Sequence, residues 1–126
     1  MKLRLEFNSI RFRLKRSEVE QFARTGRVEE KITFGSGDDK TFRYLLESAD
    51  SVSSPSATLT PHTIIVQVPP EAVTRWASSD QTGIESEQLV DHQTSLRILI
   101  EKDFACIDGT DEQNADTFPN PLAGRC

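Results

Sequence analysis

Two periods alternate along this chain. Leu3, Leu5 and Phe7 alternate with Lys2, Arg4 and Glu6, and Ile10, Phe12 and Leu14 alternate with Arg11, Arg13 and Lys15. A period of two gives each segment one buried and one wet face, so both read as strands, joined by a tight turn at Asn8-Ser9. The period then lengthens. Val19, Phe22 and Ala23 share one helical face, and the spacing of Ser17 and Glu20 is that of a capping box at the helix start. Thr25-Gly26 ends the helix, with Gly26 suited to a left-handed cap. Residues 27–34 alternate again around Val28, Ile32 and Phe34. Gly35-Ser36-Gly37-Asp38-Asp39 predicts a hairpin loop, and residues 41–47 a returning strand.

This pattern recurs. Shifted by 54 positions, residues 3–48 lie on 57–102 without a gap, with Leu5/Leu59, Ile10/Ile64, Val19/Val73, Ala23/Ala77, Arg43/Arg97, Leu45/Leu99 and Glu47/Glu101 identical. The apolar positions agree more widely. Ile10, Phe12 and Leu14 meet Ile64, Val66 and Val68; Val19 and Phe22 meet Val73 and Trp76; Phe42, Tyr44 and Leu46 meet Leu96, Ile98 and Ile100. The third strand of the second unit matches poorly, since Val28, Ile32 and Phe34 meet Thr82, Ser86 and Gln88. Residues 79–94 read as a long polar loop with one short strand.

The expected fold is therefore α+β: a pseudo-twofold, duplicated strand-strand-helix-strand-strand unit. Its eight or so strands would form a strongly bent sheet or a closed small β-barrel, with two helices. The domain spans residues 1–102, with units 3–48 and 57–102 and a Ser- and Ala-rich linker at 49–56. Residues 103–126 match nothing in the repeat. They form an irregular, acidic C-terminal tail containing cysteine and proline, either packed on the domain through Phe104, Ile107, Phe118 and Leu122 or partly disordered.

Composition narrows the function classes. With 126 residues, 36% hydrophobic and 28% charged, the chain suits one globular domain, and no apolar run approaches the length of a membrane span. Met1 leads into an alternating strand rather than the apolar core of a secretory signal, so a cytoplasmic location is expected. The net charge of −5 disfavours a general nucleic-acid binder. That charge is uneven: residues 1–48 sum to +3 and residues 49–126 to −8. A basic front and an acidic tail attract one another, within a molecule or between copies, so a homo-oligomer is possible.

Three chemistries are candidates. Cys106, Asp108, Asp116 and Cys126 offer thiolate and carboxylate ligands for a divalent metal, or a thiol-active site around Cys106. Against this, no Cys-x-x-Cys or His-x-x-His spacing is present, and a half-buried free thiol in a solvated acidic loop explains the same residues. A disulfide between Cys106 and Cys126 conflicts with a reducing compartment. Catalysis by Cys106 with His62 or His92 is not demanded by any spacing, Asp38-Asp39 and Asp111-Glu112 read as exposed loop acids, and Gly35-Ser36-Gly37 is too short for a phosphate-binding loop. Finally Arg11, Arg13 and Lys15 share one strand face with Arg4 beside them, a basic surface for phosphates or an acidic partner. No aromatic residue interleaves there to stack on bases, so a nucleic-acid-binding regulator is the minor reading.

Two stretches carry a resemblance: Asn8-Ser-Ile-Arg-Phe-Arg-Leu-Lys-Arg-Ser-Glu-Val-Glu-Gln-Phe22, and Glu101-Lys-Asp-Phe-Ala-Cys-Ile-Asp108 followed by Phe118-Pro-Asn-Pro121. They resemble a family of small uncharacterised bacterial proteins of unknown function, which implies no activity. The order strand, polar turn, strand and Pro- or Ser-started helix, with Val68-Pro-Pro-Glu-Ala-Val73 as its closest piece, is similar to half of a cradle-loop barrel. The Gly-Asp step that usually follows the helix there is missing at Gly26-Arg27 and Asp80-Gln81. Together these readings make a non-enzymatic cytoplasmic binding or accessory protein, with a protein or small-ligand partner, the leading expectation.

Overall fold

A computed structural model describes residues 1–104 and 116–119. Its strands are β1 (Lys2–Glu6), β2 (Ser9–Leu14), β3 (Arg27–Thr33), β4 (Thr41–Ser48), β5 (Ser56–Thr60), β6 (Thr63–Val68), β7 (Gly83–Leu89) and β8 (Ser95–Lys102). Helix α1 (Arg16–Thr25) joins β2 to β3, and α2 (Pro70–Ala77) joins β6 to β7. The fold is α+β. No helix among the described residues is long and apolar enough to cross a membrane.

The strands form two four-stranded mixed sheets, ordered β1-β2-β8-β7 and β3-β4-β6-β5. Each sheet takes one antiparallel hairpin from each half of the chain and joins them through a central parallel pair, β2/β8 or β4/β6. The registers correspond. Moving Lys2↔Arg13 of β1/β2 by 54 positions gives Ser56↔Gln67 of β5/β6, and moving Ser9↔Arg97 of β2/β8 gives Thr63↔Arg43 of β6/β4. The β3/β4 and β7/β8 hairpins break the rule by two residues: Arg27 faces Glu47, but Gly83, not Gln81, faces Glu101. The connection from α2 to β7 is longer than the single Gly26 that separates α1 from β3. The counterpart of buried Val28 is therefore buried Ile84 rather than Thr82, which explains the poor match of the third strand in the sequence.

The expected closed barrel does not form. The edges β5 and β7 approach each other without a ladder, because a side chain stands between their backbones. The Gln88 carboxamide accepts from the Ala57 N–H at 2.7 Å and donates to the Ala57 carbonyl at 3.0 Å, and Ser86 Oγ donates to the Pro55 carbonyl at 3.1 Å. A glutamine side chain holds the strands beyond the ~4.8 Å of a paired ladder. Across the other gap, the Met1 ammonium pairs with Glu18 and with Glu30 at 2.9 Å, and Tyr44 Oη donates to the Met1 carbonyl at 2.8 Å. Pro55 lies by Ser86 and Ala57 by Gln88, so β5 and β7 run in the same direction. The four hairpin turns thus share one end of the molecule and the helices the other.

One core fills the space between the sheets and the helices. Phe12, Leu14, Leu46, Val66, Val68, Ile98 and Ile100 come from the central strands, and Val19, Phe22, Val73 and Trp76 from the helices. The expected helix faces are confirmed, except that Ala23 is exposed and borders a groove between α1 and α2 with Ala77 and Thr74. Gly26 caps α1 in the left-handed conformation, its N–H bonding the Phe22 carbonyl at 2.8 Å. At the other end of α1 the expected capping box is replaced. Glu18 accepts from the Lys15 N–H at 2.9 Å, and Ser17 donates its N–H and hydroxyl to the two carboxylate oxygens of Asp116.

Asp116 thus adds from the tail, beside the local Glu18 contact, acceptors for the N–H groups of Arg16 and Ser17 in the first turn. Phe118 follows it, lying 5.5 Å from the Arg16 guanidinium and 5.0 Å from Lys102 Nζ and packing edge-on against Phe104. Lys102 is buried; its Nζ donates to the Ser79 carbonyl at 2.8 Å, and burial pushes its pKa down against a smaller opposing pull from Asp80. These contacts pin residues 116–119 at the helix end.

Three outcomes are expected. The Ser17 hydroxyl bond, with its backbone bond and the nearby Lys15 and Arg16 charges, holds the Asp116 carboxyl below its ordinary value despite some desolvation. A depressed carboxylate stabilises the fold above its unfolded pKa and stops doing so as pH falls through the folded value. Asp116→Ala should cost about 1 kcal/mol at neutral pH in urea unfolding, with the gap to wild type narrowing as pH falls through the folded carboxyl's lowered pKa; a gap unchanged by acidification would contradict the charged cap. Gln88→Ala, which leaves both polar groups of Ala57 without their partner, should cost about 1–2 kcal/mol. Gln88→Glu should cost at least as much, because a carboxylate cannot donate to the Ala57 carbonyl.

Candidate functional site

Outward-facing residues of β1, β2 and β8 build a strongly charged surface. The register sets Lys2 beside Arg13 and Arg13 beside Glu101 in one row, and Arg4 beside Arg11 and Arg11 beside Leu99 in the next. Because alternate residues of a strand share a face, Lys2 and Arg4 on β1 and Arg11 and Arg13 on β2 stand together on the side away from the core. With Leu3 they line a groove of about 340 Å³. Arg4 and Arg11 also border a neighbouring cavity of about 400 Å³, whose far wall is Arg97, Glu85 and Glu87. Both volumes fall in the range of small-ligand sites.

The cations are held, not free. Glu101 Oε1 accepts from Arg11 Nε at 2.6 Å and Nη2 at 2.5 Å, and from Arg13 Nε and Nη2 at 3.0 Å each. Glu101 is largely buried beneath the two guanidinium groups. Charge-assisted bonds of this kind orient both arginines. Arg4 pairs with Glu6 at 2.8 Å, and Lys2 Nζ lies 3.4 Å from Asp103. Within the groove four cations are matched by three carboxylates, an excess of about one positive charge, which Glu85 and Glu87 against Arg97 across the neighbouring cavity offset over the face as a whole.

The outer face of the other sheet is a natural control. The positions corresponding to Lys2, Arg4, Arg11 and Arg13 are Ser56, Thr58, Ile65 and Gln67, none of them charged. Glu47 stands where Glu101 does, and there Gln67 Nε2 donates to it at 3.1 Å. The fold thus places a glutamate on both outer faces: Glu47 is paired by Arg27 of the neighbouring β3 at 3.6 Å, with no cation from β5 or β6, whereas Glu101 is held by two arginines of β2.

Of the basic residues expected from the sequence, Arg4, Arg11 and Arg13 meet in the groove. Lys15 does not; its place is the start of α1, where it helps hold the Asp116 carboxylate. Lys2 takes the fourth position, and Glu101 is the organising residue that the sequence analysis missed. Its signal was present, since Glu47/Glu101 is among the identical pairs. Of the metal candidates, Cys106, Asp108 and Cys126 lie outside the described residues, and both oxygens of Asp116 bond Ser17. Among the described residues no three His, Cys, Asp or Glu side chains cluster as metal ligands. His62 and His92 are both exposed, in separate turns at the hairpin end.

The chain matches no curated protein and no solved structure. The model of a family of unknown function, DUF7009, matches residues 1–122, nearly the entire chain, and the protein belongs to that family.

Proposed function

We propose that the protein is a non-enzymatic binding or accessory protein, and that the outer face of the β1-β2-β8-β7 sheet takes a small ligand, or a protein side chain, bearing a carboxylate or phosphate group. The observation that carries this reading is the asymmetry between two outer faces of like construction. The neutral set Ser56, Thr58, Ile65 and Gln67 fulfils the architectural role, so the four cations on the other face serve something other than folding. We also infer that the halves are copies of one unit whose outer faces have diverged; the shared registers and the Glu47/Glu101 pair support this.

The size of the ligand follows from the charge count. One excess positive charge suits a single anionic group; it does not suit a nucleic-acid backbone, whose binding strength grows with the number of phosphates neutralised. Arg4 is the group best placed to turn toward such an anion. Its pair with Glu6 is exposed and so contributes little, and it borders both cavities. Arg11 and Arg13 stay fixed by Glu101 and offer their remaining N–H groups. Leu99, on the same outer face, provides apolar contact for the body of the ligand.

Calorimetric titration with inorganic phosphate and with an acetylated glutamate dipeptide tests the reading. Binding should be weak, strengthened at low salt, and reduced about tenfold by Arg4→Ala, the effect of one charge-assisted bond. Arg11→Gln, which keeps a donor toward Glu101, should weaken it comparably without unfolding the chain. No binding of either probe at low salt, or binding indifferent to both substitutions, would contradict the proposal.

A further inference from the structure

The hairpin end carries apolar surface that the fold does not use. Leu5, Phe7, Ile32 and Phe34 are exposed on its β1/β3 side, and Leu59, Leu89 and Val90 on its β5/β7 side. These are the large hydrophobic side chains exposed among the described residues, and all seven lie at this end.

Phe7 shows that the exposure is not incidental. It is 92% exposed and, with Asn8, forms the two-residue turn between β1 and β2, one position earlier than the sequence suggests. Both residues have positive φ, 48° and 54°. Asparagine tolerates that conformation, whereas phenylalanine is strained by it. The corresponding turn at Pro61-His62 has no such conformation, so the architecture does not require it. A polar residue at position 7 would relieve the strain and remove an aromatic ring from water, yet the chain presents phenylalanine.

We propose that this end is a self-association face, on which a second copy of the chain docks end to end about a twofold axis. The first argument is area. The seven residues expose on the order of 1,000 Å² in all at typical side-chain sizes, about 500 Å² in each cluster; each cluster matches the ~300–600 Å² of the largest patch on most monomers, and the two together reach the ~800 Å² each partner gives a stable interface. The second is shape. The two clusters stand on opposite sides of the end, so an extended peptide would cover only one. The same end of another copy presents two clusters at the same separation, and a single twofold rotation sets apolar cluster on apolar cluster. The surrounding charges are mixed, with Asp38, Asp39 and Asp91 beside Lys31 and Lys40, and so build no strong field against an identical partner. Those acids disfavour an anionic lipid surface. This face is separate from the basic groove, and neither proposal rests on the other.

Sedimentation velocity of the full chain over a wide concentration range decides the matter, with Phe7→Asn and Phe34→Ser as variants. Wild type should pass from monomer to dimer with rising concentration, and each variant should raise the dimer Kd at least tenfold. Phe7→Asn should also leave the thermal midpoint of the dilute monomer unchanged or raised, which separates loss of an interface from loss of folding. A wild type that stays monomeric at the highest concentration, or a dimer that both variants leave intact, would overturn the proposal. So would a monomer that instead binds phosphatidylcholine vesicles through Phe7.

Discussion

The structure depends on two parallel strand pairs, β2 with β8 and β4 with β6. Each joins a strand from one half of the chain to a strand from the other, and these four strands supply most of the core. Neither half can bury its apolar face alone. The hairpin β1-β2 without β8 would leave Ile10, Phe12 and Leu14 on a two-stranded ribbon, which is at best marginally stable in water. Interleaving the halves yields two sheets with one shared interior, closed at one end by Phe22 and Trp76 from the helices.

That arrangement separates three surfaces by physical character. The helix end receives the tail, through the Asp116 carboxylate at the start of α1 and the Phe118 ring between Arg16 and Lys102. One outer sheet face gathers two arginines of β2 around Glu101, while on its counterpart Glu47 meets Arg27 and the uncharged Gln67, beside the buried Leu45. The hairpin end exposes apolar side chains on both sides. Corresponding positions of the two halves differ in character, as in Gln67 against Arg13 and Pro61-His62 against Phe7-Asn8.

Much of this was legible in local periodicity. Alternation at Ile10, Phe12 and Leu14, at Ile64, Val66 and Val68, and at Ile98 and Ile100 identified the central strands and their buried faces. The three-residue step from Val19 to Phe22 and from Val73 to Trp76 identified the helices. What periodicity could not convey was partnership between distant strands, because it reports which face is buried and not what covers it. The missing barrel closure has the same origin: the Gln88–Ala57 contact joins residues 31 apart, and nothing in a glutamine on a polar strand announces it. The Ser17–Asp116 cap spans 99 residues. The two extra residues before β7 defeated an ungapped comparison and disguised Ile84 as unmatched. Within the groove, Arg4, Arg11 and Arg13 were found because strand alternation aligns them, whereas Lys15 failed because the strand ends at Leu14.

If the two halves are one interleaved unit, they must open together. Native-state hydrogen exchange across increasing denaturant measures this directly. The amides of β2, β4, β6 and β8 should converge on a single opening free energy equal to that of global unfolding. Protection that persists in residues 1–48 after residues 57–102 have exchanged, or the reverse, would show that one half holds its structure alone and would contradict the account.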